Sequence, residues 1–231
     1  KEYYFLDIGK ALYKATNGDE DGLNEWIKLA ENKSTEFDRN FCELNYDNFE
    51  KDEITVKTIA WYARLDNFDK YSEWHEKWCR PKLLRAIDSK HINVAEAFRR
   101  VFWLEYMYSG RKWVEFRRNR MTILQEDFSI RRTITNKFIP CFDKLRSHIS
   151  EEKLRQNKGL SGKSQSSREK INDLEKQIND VGKLIDKLLS ETFRGPLIRS
   201  LKEYFYKENL TKILNKNPSL MGTGNCIIEL T

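Results

Sequence analysis

The feature that most constrains the fold is an unbroken apolar seam in the C-terminal half of the chain. Its members recur at alternating spacings of three and four residues: Ile171, Leu174, Ile178, Val181, Ile185 and Leu188. This heptad pattern is typical of a helix that packs lengthwise against another helix. A second apolar stripe precedes it, at Ile134, Phe138, Cys141, Phe142, Leu145 and Ile149. Pro140 lies inside the second stripe and predicts a kink there.

The two stripes are separated by the Gly/Ser-rich stretch "NKGLSGKSQSS" at 157–167. A short flexible connector between two amphipathic helices predicts an antiparallel helical hairpin, here over 133–190. Self-association through the seam is the alternative interpretation.

The connector contains Gly162-Lys163-Ser164, the tail of a phosphate-binding loop. That loop also needs a glycine five residues before Gly162 and a buried strand ahead of it. The chain has Asn157 at that position, preceded by polar residues of helical character. We therefore interpret the motif as the tip of the hairpin. The largest role expected for Lys163 and Arg168 is a contact with a phosphate. A nucleotide hydrolase is retained as a third hypothesis, which needs an ATPase activity that Lys163→Ala abolishes.

Residues 1–70 predict a small helical domain, because four segments show apolar residues at helical spacing. The segments are "YYFLDIGKALYKAT", "LNEWIKLAENK", "EFDRNFCELNYDNF" and "ITVKTIAWYARLDN". Ser34 and Thr35 are expected to cap the third helix, with Phe37, Phe41 and Leu44 facing inward.

Residues 71–90 predict a basic helical connection that is interrupted or restarts at Pro81. Residues 91–231 predict a second domain, in which "FWLEYMY" to "RMTIL" forms two or three short strands. The predicted fold class is mainly α, with a small helical domain followed by a helical domain that has a short antiparallel β-meander and a long helical hairpin. The final stretch "CIIEL" is expected to be a strand without a partner in this chain.

Charge is divided unevenly along the chain. Residues 1–70 hold 10 Lys/Arg against 16 Asp/Glu, whereas residues 71–231 hold 32 against 20. The formal net charge of +6 therefore conceals −6 in the first part and +12 in the second. A part with +12 is attracted to polyanions, of which nucleic acid is the commonest, although lysine on solvated helices gives similar counts.

Arginine and lysine concentrate around the predicted strands, in region 97–137. This region holds ten basic residues and only four acidic ones. The ten are our candidate DNA-binding residues: Arg99, Arg100, Arg111, Lys112, Arg117, Arg118, Arg120, Arg131, Arg132 and Lys137. Arginine pairs with phosphate through its planar fork, and aromatics such as Tyr108, Trp113 and Phe116 stack on unpaired bases in single-strand grooves. Strand alternation places Trp113 and Glu115 on one face and Phe116 on the other. Trp113 is favoured as core, and the arginines at turns are the better candidates.

Cysteine and histidine are few and scattered. Four cysteines lie far apart, and only three histidines accompany them, so no zinc or other metal site is predicted. His75 and Cys79 are interpreted as a packing histidine and a buried thiol. The scatter suits a reducing intracellular compartment, and no apolar run has membrane-spanning length. No Ser/Cys–His arrangement or carboxylate pair stands out as catalytic, so no cofactor is predicted in this fragment.

Three motifs in the first part are characteristic of a known domain. They are Gly-Lys-Ala-Leu in a helix at 9–12, Gly-Leu-x-x-Trp in a helix at 22–26 and Tyr-Ala-x-x-Asp-Asn-Phe at 62–68, where the domain ends. With them, this part resembles the helical domain after the primase module in the primase-helicases of nucleocytoplasmic large DNA viruses. The stretch from "HINVAEAF" to "NPSLMGTGNCIIEL" is similar to the domain before the superfamily 3 helicase in poxvirus-type and African swine fever virus-type enzymes. Together the two resemblances cover nearly the whole chain.

The C-terminal match is the most specific. Family members usually read Asn-Pro-x-Leu-x-Gly-x-Gly-Asn-Gly-Val-x-x-Leu, and this chain follows the pattern over 217–230. Cys226 stands where glycine is usual, which predicts a stiffer turn.

The resemblance implies a non-catalytic middle fragment of a viral DNA primase-helicase. Such a fragment would bind single-stranded or forked DNA and link the primase to a hexameric superfamily 3 helicase during replication. The parent polypeptide is implied to be a primase and an ATP-dependent helicase, with ATP and Mg bound outside this fragment. The implied partners are DNA, further copies of the chain and the neighbouring primase and helicase domains, without a membrane. The implied location is the host cytoplasm, in a viral replication factory, or the nucleus.

The alternative function is an oligomerisation or collar scaffold without direct DNA binding. In that case the basic surface would meet an acidic neighbour, such as the N-terminal part of the next subunit.

Overall fold

The computed structural model describes most of the chain as helix. The described residues are 2–32, 38–49, 56–117, 120–124, 126–157, 165–208, 220–222 and 227–229. They belong to two compact units, Lys1–Trp74 and His75–Thr231. Helices dominate both units and a short antiparallel sheet lies in the second, which confirms the mainly α fold class.

The helices of the first unit surround one tryptophan. Trp26 is fully buried, stacks on Phe5 at a centroid distance of 5.1 Å and donates its indole N–H to the Phe5 carbonyl at 3.1 Å. Tyr46 and Cys42 are buried in the same cluster. The helices are α1 (Glu2–Thr16), α2 (Glu20–Asn32), α3 (Arg39–Tyr46), α4 (Val56–Asp66) and the start of α5 (Phe68–Ala86).

Two glycines of the first unit allow its helices to approach closely. A Cβ on Gly9 would lie 2.5 Å from the indole of Trp26, and a Cβ on Gly22 would overlap the hydroxyl of Tyr46. Both glycines belong to the motifs at 9–12 and 22–26, so these motifs have a direct packing reason.

The third helix begins later than the sequence predicts. Asp38 caps α3, because its carboxylate accepts a hydrogen bond from the Phe41 N–H at 2.8 Å. The predicted caps Ser34 and Thr35, and the predicted core residue Phe37, lie outside the described residues. The inward orientation predicted for Leu44 is wrong, since this side chain is 73% exposed. The buried positions belong instead to Cys42 and Tyr46, which are four residues apart on one face.

Helix α5 runs through Pro81 without interruption, so the predicted break is wrong. A proline inside a helix removes one hydrogen bond and costs about 3 kcal/mol. Cys79, Leu83 and Ala86 on both sides of Pro81 are buried in the core of the second unit. Tertiary packing therefore holds the two halves of the helix in line.

The second unit continues with α6 (His91–Val101) and a three-stranded antiparallel sheet. The strands are β1 (Tyr106–Ser109), β2 (Lys112–Arg117) and β3 (Arg120–Leu124), in that spatial order. The predicted β-meander is confirmed, and Trp113 is core, with 2% of its surface exposed.

The helix after the sheet contains a wide turn. Helix α7 (Phe128–Thr133) passes into a π-helical turn, Ile134–Phe138, and then into α8 (Ile139–Asn157). The Ile139 N–H bonds to the Ile134 carbonyl, five residues back. The local disturbance predicted at Pro140 thus takes the form of a π turn directly before it.

The predicted helical hairpin is confirmed. Helix α8 packs along α9 (Gln165–Leu189), and Lys153 pairs with Glu175 at 3.3 Å near the connector. Val181 and Leu188 of the seam are buried, whereas Ile171, Leu174, Ile178 and Ile185 are half-buried. Gly162-Lys163-Ser164 lie outside the described residues, and the segment ahead of them is α8 rather than the strand that a phosphate-binding loop requires.

Helix α10 (Glu191–Tyr204) leads the chain back to the sheet. The Tyr108 N–H donates to the Phe205 carbonyl at 2.9 Å, and the Lys207 N–H donates to the Tyr108 carbonyl at 2.8 Å. Residues 205–207 therefore run beside β1.

The final strand has a partner, contrary to expectation. Strands β4 (Leu220–Gly222) and β5 (Ile227–Glu229) form an antiparallel pair. The turn between them, with Cys226, lies outside the described residues, so its predicted stiffness stays a prediction.

Within the described ranges no helix combines the length and hydropathy needed to cross a membrane, and no cluster of three or more His, Cys, Asp or Glu is arranged for a metal ion. Cys79 is buried, 3.4 Å from the Nε2 atom of His75. Burial raises the pKa of its thiol to about 12, so the thiol stays protonated at neutral pH. The interpretation of a buried thiol is confirmed.

A candidate nucleic-acid interface

The turn between β1 and β2 presents two cations. Ser109 pairs with Lys112, which leaves Gly110 and Arg111 as a two-residue turn. Both turn residues have positive φ, 56° and 63°, as a type I′ turn requires. Glycine adopts this conformation freely, whereas a residue such as Arg111 is strained by about 1–2 kcal/mol. An arginine thus occupies a position where stability alone would favour glycine.

The strand after this turn is tied to the start of α7 and to α10. The indole N–H of Trp113 donates to one oxygen of Asp127 at 3.0 Å, and Lys202 donates to the other oxygen at 2.9 Å. The Lys202 ammonium also lies 5.6 Å from the centre of the Tyr108 ring. Asp127 therefore joins a core residue to a surface cation.

The end of α7 is tied to the sheet as well. The Tyr106 hydroxyl donates to Glu115 at 3.0 Å and lies 2.7 Å from the hydroxyl of Thr133. Because its single proton goes to Glu115, Thr133 is the donor in the second bond. Burial raises the pKa of Tyr106 well above its usual value, so the hydroxyl keeps its proton at neutral pH. Helix α7 is consequently held at both ends.

These elements enclose a groove of about 450 Å³, which we call the basic groove. Its charged members are four cations and two carboxylates: Arg111, Lys112, Arg131, Lys202, Glu126 and Asp127. Its apolar members are Trp113, Leu124 and Phe128. A volume of this size lies within the range of small-molecule sites, about 300–1,000 Å³.

The four cations of the basic groove differ in their partners. Arg131 forms an ion pair with Glu191, and Lys202 pairs with Asp127. Arg111 and Lys112 are exposed and form no ion pair with any residue that the structure describes. These two cations are therefore the ones available to an incoming anion.

The other candidates have different surroundings. The Arg100 guanidinium lies 4.0 Å from the centre of the Trp78 ring, and Lys137 pairs with Glu105 at 2.9 Å. Arg99 and Arg132 are exposed. None of these four is among the described residues that line the basic groove.

Three candidates at the β2–β3 turn cannot be placed in the same way. The strand register pairs the backbones of Arg117 and Arg120. Their side chains, and all of Arg118, lie outside what the structure describes. Their role in binding stays a prediction.

The exposed aromatic side chain of the basic groove is not among the three that the sequence suggested for stacking, Tyr108, Trp113 and Phe116. Trp113 is buried in the core and cannot stack on a base, whereas Phe128 is 68% exposed. Sequence reasoning missed both Phe128 and Lys202. The helical phase of α7 was a usable signal, because Phe128 falls on the face of Arg131 and Arg132 rather than on the buried face of Ile130. No local signal marks Lys202, which lies 75 residues from Asp127 in the chain.

Comparison with known proteins relates the chain to primase and helicase sequences. Residues 3–63 match the family model "Primase C terminal 2 (PriCT-2)". The chain is also 22% identical over 231 residues to "Putative helicase L207/L206" of Acanthamoeba polyphaga mimivirus. The alignment covers 98% of this chain and 23% of the relative, so the chain spans about a quarter of that protein. Residues 3–63 thus resemble a primase C-terminal domain, and the resemblance of the chain to the primase-helicases of large DNA viruses is confirmed.

Proposed function

We propose that this chain is a non-catalytic middle region of a viral DNA primase-helicase, which binds single-stranded or forked DNA through the basic groove. In this proposal the first unit follows the primase module, and the second unit precedes a hexameric superfamily 3 helicase. ATP and Mg act in the helicase module and not in this chain. The site of action is a replication factory in the host cytoplasm, or the nucleus.

The observation that carries the proposal is the pair of neighbouring exposed cations at Arg111 and Lys112. Ion pairs with carboxylates already occupy Arg131 and Lys202, but these two neighbours have none among the described residues. Phosphate contacts of this kind bind without regard to sequence and weaken steeply with salt. The net charge of +12 on residues 71–231 supports the same partner.

The test is fluorescence anisotropy of a labelled single-stranded oligonucleotide, at low and physiological salt, with a duplex control. Arg111→Glu/Lys112→Glu should lower the affinity at least about tenfold and reduce the log–log salt slope by roughly 1 to 2, since two phosphate contacts are lost. The charge-matched control is Lys170→Glu/Lys176→Glu on the exposed face of α9, which should change both quantities much less. Equal effects of the two double variants would contradict a role for the basic groove.

Arg111→Gly separates loss of binding from loss of folding. Glycine accepts the positive φ of this position, so the variant should be more stable than the parent by about 1 kcal/mol. The same change removes a phosphate contact and should weaken binding. A variant that melts higher and still binds as tightly as the parent would remove Arg111 from the site.

A second candidate function is assembly, supported by the exposed end of the hairpin. Ile171, Leu174 and Ile178 are half-buried, and Leu154 on α8 is 59% exposed. Light scattering tests this function. Oligomers that form with concentration and are lost in an Ile171→Asp/Ile178→Asp variant, together with no affinity for DNA, would favour assembly over DNA binding.

A further inference from the structure

The basic groove contains an exposed aromatic side chain that has no role in the core. Phe128 is 68% exposed, although Ile130, two residues later, is fully buried. Exposing a phenylalanine ring to water is unfavourable. Single exposed apolar residues are nevertheless common on protein surfaces, so exposure alone needs no explanation. Phe128 differs because it lies in a groove lined by four cations.

The structure holds Phe128 in place. The residue before it, Asp127, is bonded to Trp113 and Lys202, and Thr133 at the other end of α7 is bonded to Tyr106. The ring therefore projects from a helix that is anchored at both ends. A recognition side chain on a rigid element loses little conformational freedom when a ligand binds.

We propose that Phe128 stacks on one unpaired base of a single-stranded nucleic acid, while Arg111 and Lys112 contact the adjoining phosphates. The inference rests on the proposed function and adds the residue that selects single strands. Every base has a π face, so stacking of this kind is independent of sequence. A base within a duplex is already paired and stacked, and it reaches Phe128 only at the cost of unstacking. The groove thereby distinguishes single-stranded from double-stranded DNA.

The test compares Phe128→Ala with Phe68→Ala in the same anisotropy assay. Phe68 is a matched control, because it is also a helical phenylalanine with 59% exposure but lies in the first unit. Phe128→Ala should lower affinity for the single strand by about 5- to 100-fold, the size of one base–aromatic stack. Its salt slope should stay unchanged, since no phosphate contact is removed. Phe68→Ala should bind as the parent does.

Two further measurements isolate the stacking. Affinity for an abasic oligonucleotide, which keeps the phosphates and lacks the bases, should be the same for the parent and Phe128→Ala. Phe128→Trp should keep the affinity for the normal strand, whereas Phe128→Leu, which retains apolar volume without a π face, should lose it. The leucine variant also keeps the test valid if the alanine variant folds poorly.

The outcomes separate this inference from the proposed function. If the parent binds no oligonucleotide even at low salt, both fail. If the parent binds and Arg111→Glu/Lys112→Glu weakens it, but Phe128→Ala and Phe128→Leu bind as tightly as the parent, only the stacking inference is overturned.

Discussion

Each unit of the molecule buries one central tryptophan, and the two satisfy the indole N–H differently. Trp26 in the first unit donates to the backbone carbonyl of Phe5 at 3.1 Å. Trp113 in the second unit donates to the carboxylate of Asp127 at 3.0 Å. Both indoles are buried, with 0% and 2% of their surface exposed. The hydrogen bond of Trp26 stays within the core of the first unit, whereas Trp113 is hydrogen-bonded to a charged residue of the basic groove.

A buried hydrogen bond can therefore do more than satisfy its donor. A backbone carbonyl is neutral, so the bond of Trp26 leaves the surface charge unchanged. The carboxylate of Asp127 carries a charge that also neutralises Lys202. The core of the second unit therefore helps to set the charge of its surface.

The largest expected effect is loss of the first core. Trp26→Ala should lower the free energy of unfolding of the first unit by about 3–5 kcal/mol, because it removes the ring at the centre of the aromatic cluster. Denaturant titration followed by circular dichroism measures the loss. The control is Trp74→Ala in the same unit, which should cost far less because 47% of that side chain is exposed. A similar cost for both would mean that Trp26 does not organise this core.

The next effect concerns two interior helical glycines with opposite expectations. Gly9→Ala should destabilise the first unit by about 1–3 kcal/mol, because the added methyl meets the Trp26 ring at 2.5 Å. Gly182→Ala on α9 should stabilise the second unit by about 0.5–1 kcal/mol, since no atom lies within 4 Å of its added Cβ. Urea titration of both variants measures whether the free energy of unfolding falls or rises in each. A neutral Gly9→Ala would show that α1 and α2 can separate without loss.

A smaller effect on stability and a clear effect on charge are expected for Asp127→Asn. The amide oxygen can still accept from Trp113, so the free energy of unfolding should fall by less than about 1 kcal/mol. The change removes one negative charge and releases Lys202, so affinity for a single strand should rise several-fold and the salt slope should steepen by about 0.7. Affinity that is unchanged or weaker would contradict the link between the Trp113 hydrogen bond and the groove charge.

The smallest effect is a dependence on pH in the second unit. The hydrogen bond and charge of Lys82 lower the pKa of Glu96 below its ordinary value of 4.5. A carboxylate with a lowered folded pKa stabilises the protein above its unfolded pKa, and this contribution is lost as pH falls through the folded value. Glu96→Gln should therefore lower the melting temperature near pH 7 and make it less sensitive to acid below about pH 4.5. A parallel pH profile for parent and variant would exclude this ion pair as a source of acid sensitivity.

Local patterns accounted for most of the helices and strands. The seam from Ile171 to Leu188 predicted a packed helix, and the aromatic runs around Trp113 predicted the meander, because helical and strand periodicities are properties of short segments. The errors also have physical causes. Pro81 was expected to end a helix, but packing of Cys79 and Leu83 outweighs the missing hydrogen bond. The orientation of Leu44 was wrong because α3 turns Cys42 and Tyr46 toward the core, which leaves Leu44 on the exposed side.

The candidate site was only partly predictable. The sequence identified the cations at the β1–β2 turn, since turn residues face outward in either strand register. It named Tyr108, Trp113 and Phe116 for stacking and rightly favoured Trp113 as core, but it did not single out Phe128, whose exposure depends on how α7 packs against the sheet. It also could not tell Arg111 from Arg131, because both are arginines in a basic region.

The mainly α class, the helical hairpin, the meander and the excess of positive charge after residue 70 were all readable from the sequence. These follow from periodicity, turn chemistry and composition, which the chain carries locally. Which cations are neutralised depends on the folded structure. Arg131 meets Glu191 across 60 residues of sequence and Lys202 meets Asp127 across 75, whereas Arg111 and Lys112 have no such partner in the described part of the chain. Ion pairing depends on distances of a few ångströms between segments that are remote in sequence, and folding alone sets those distances.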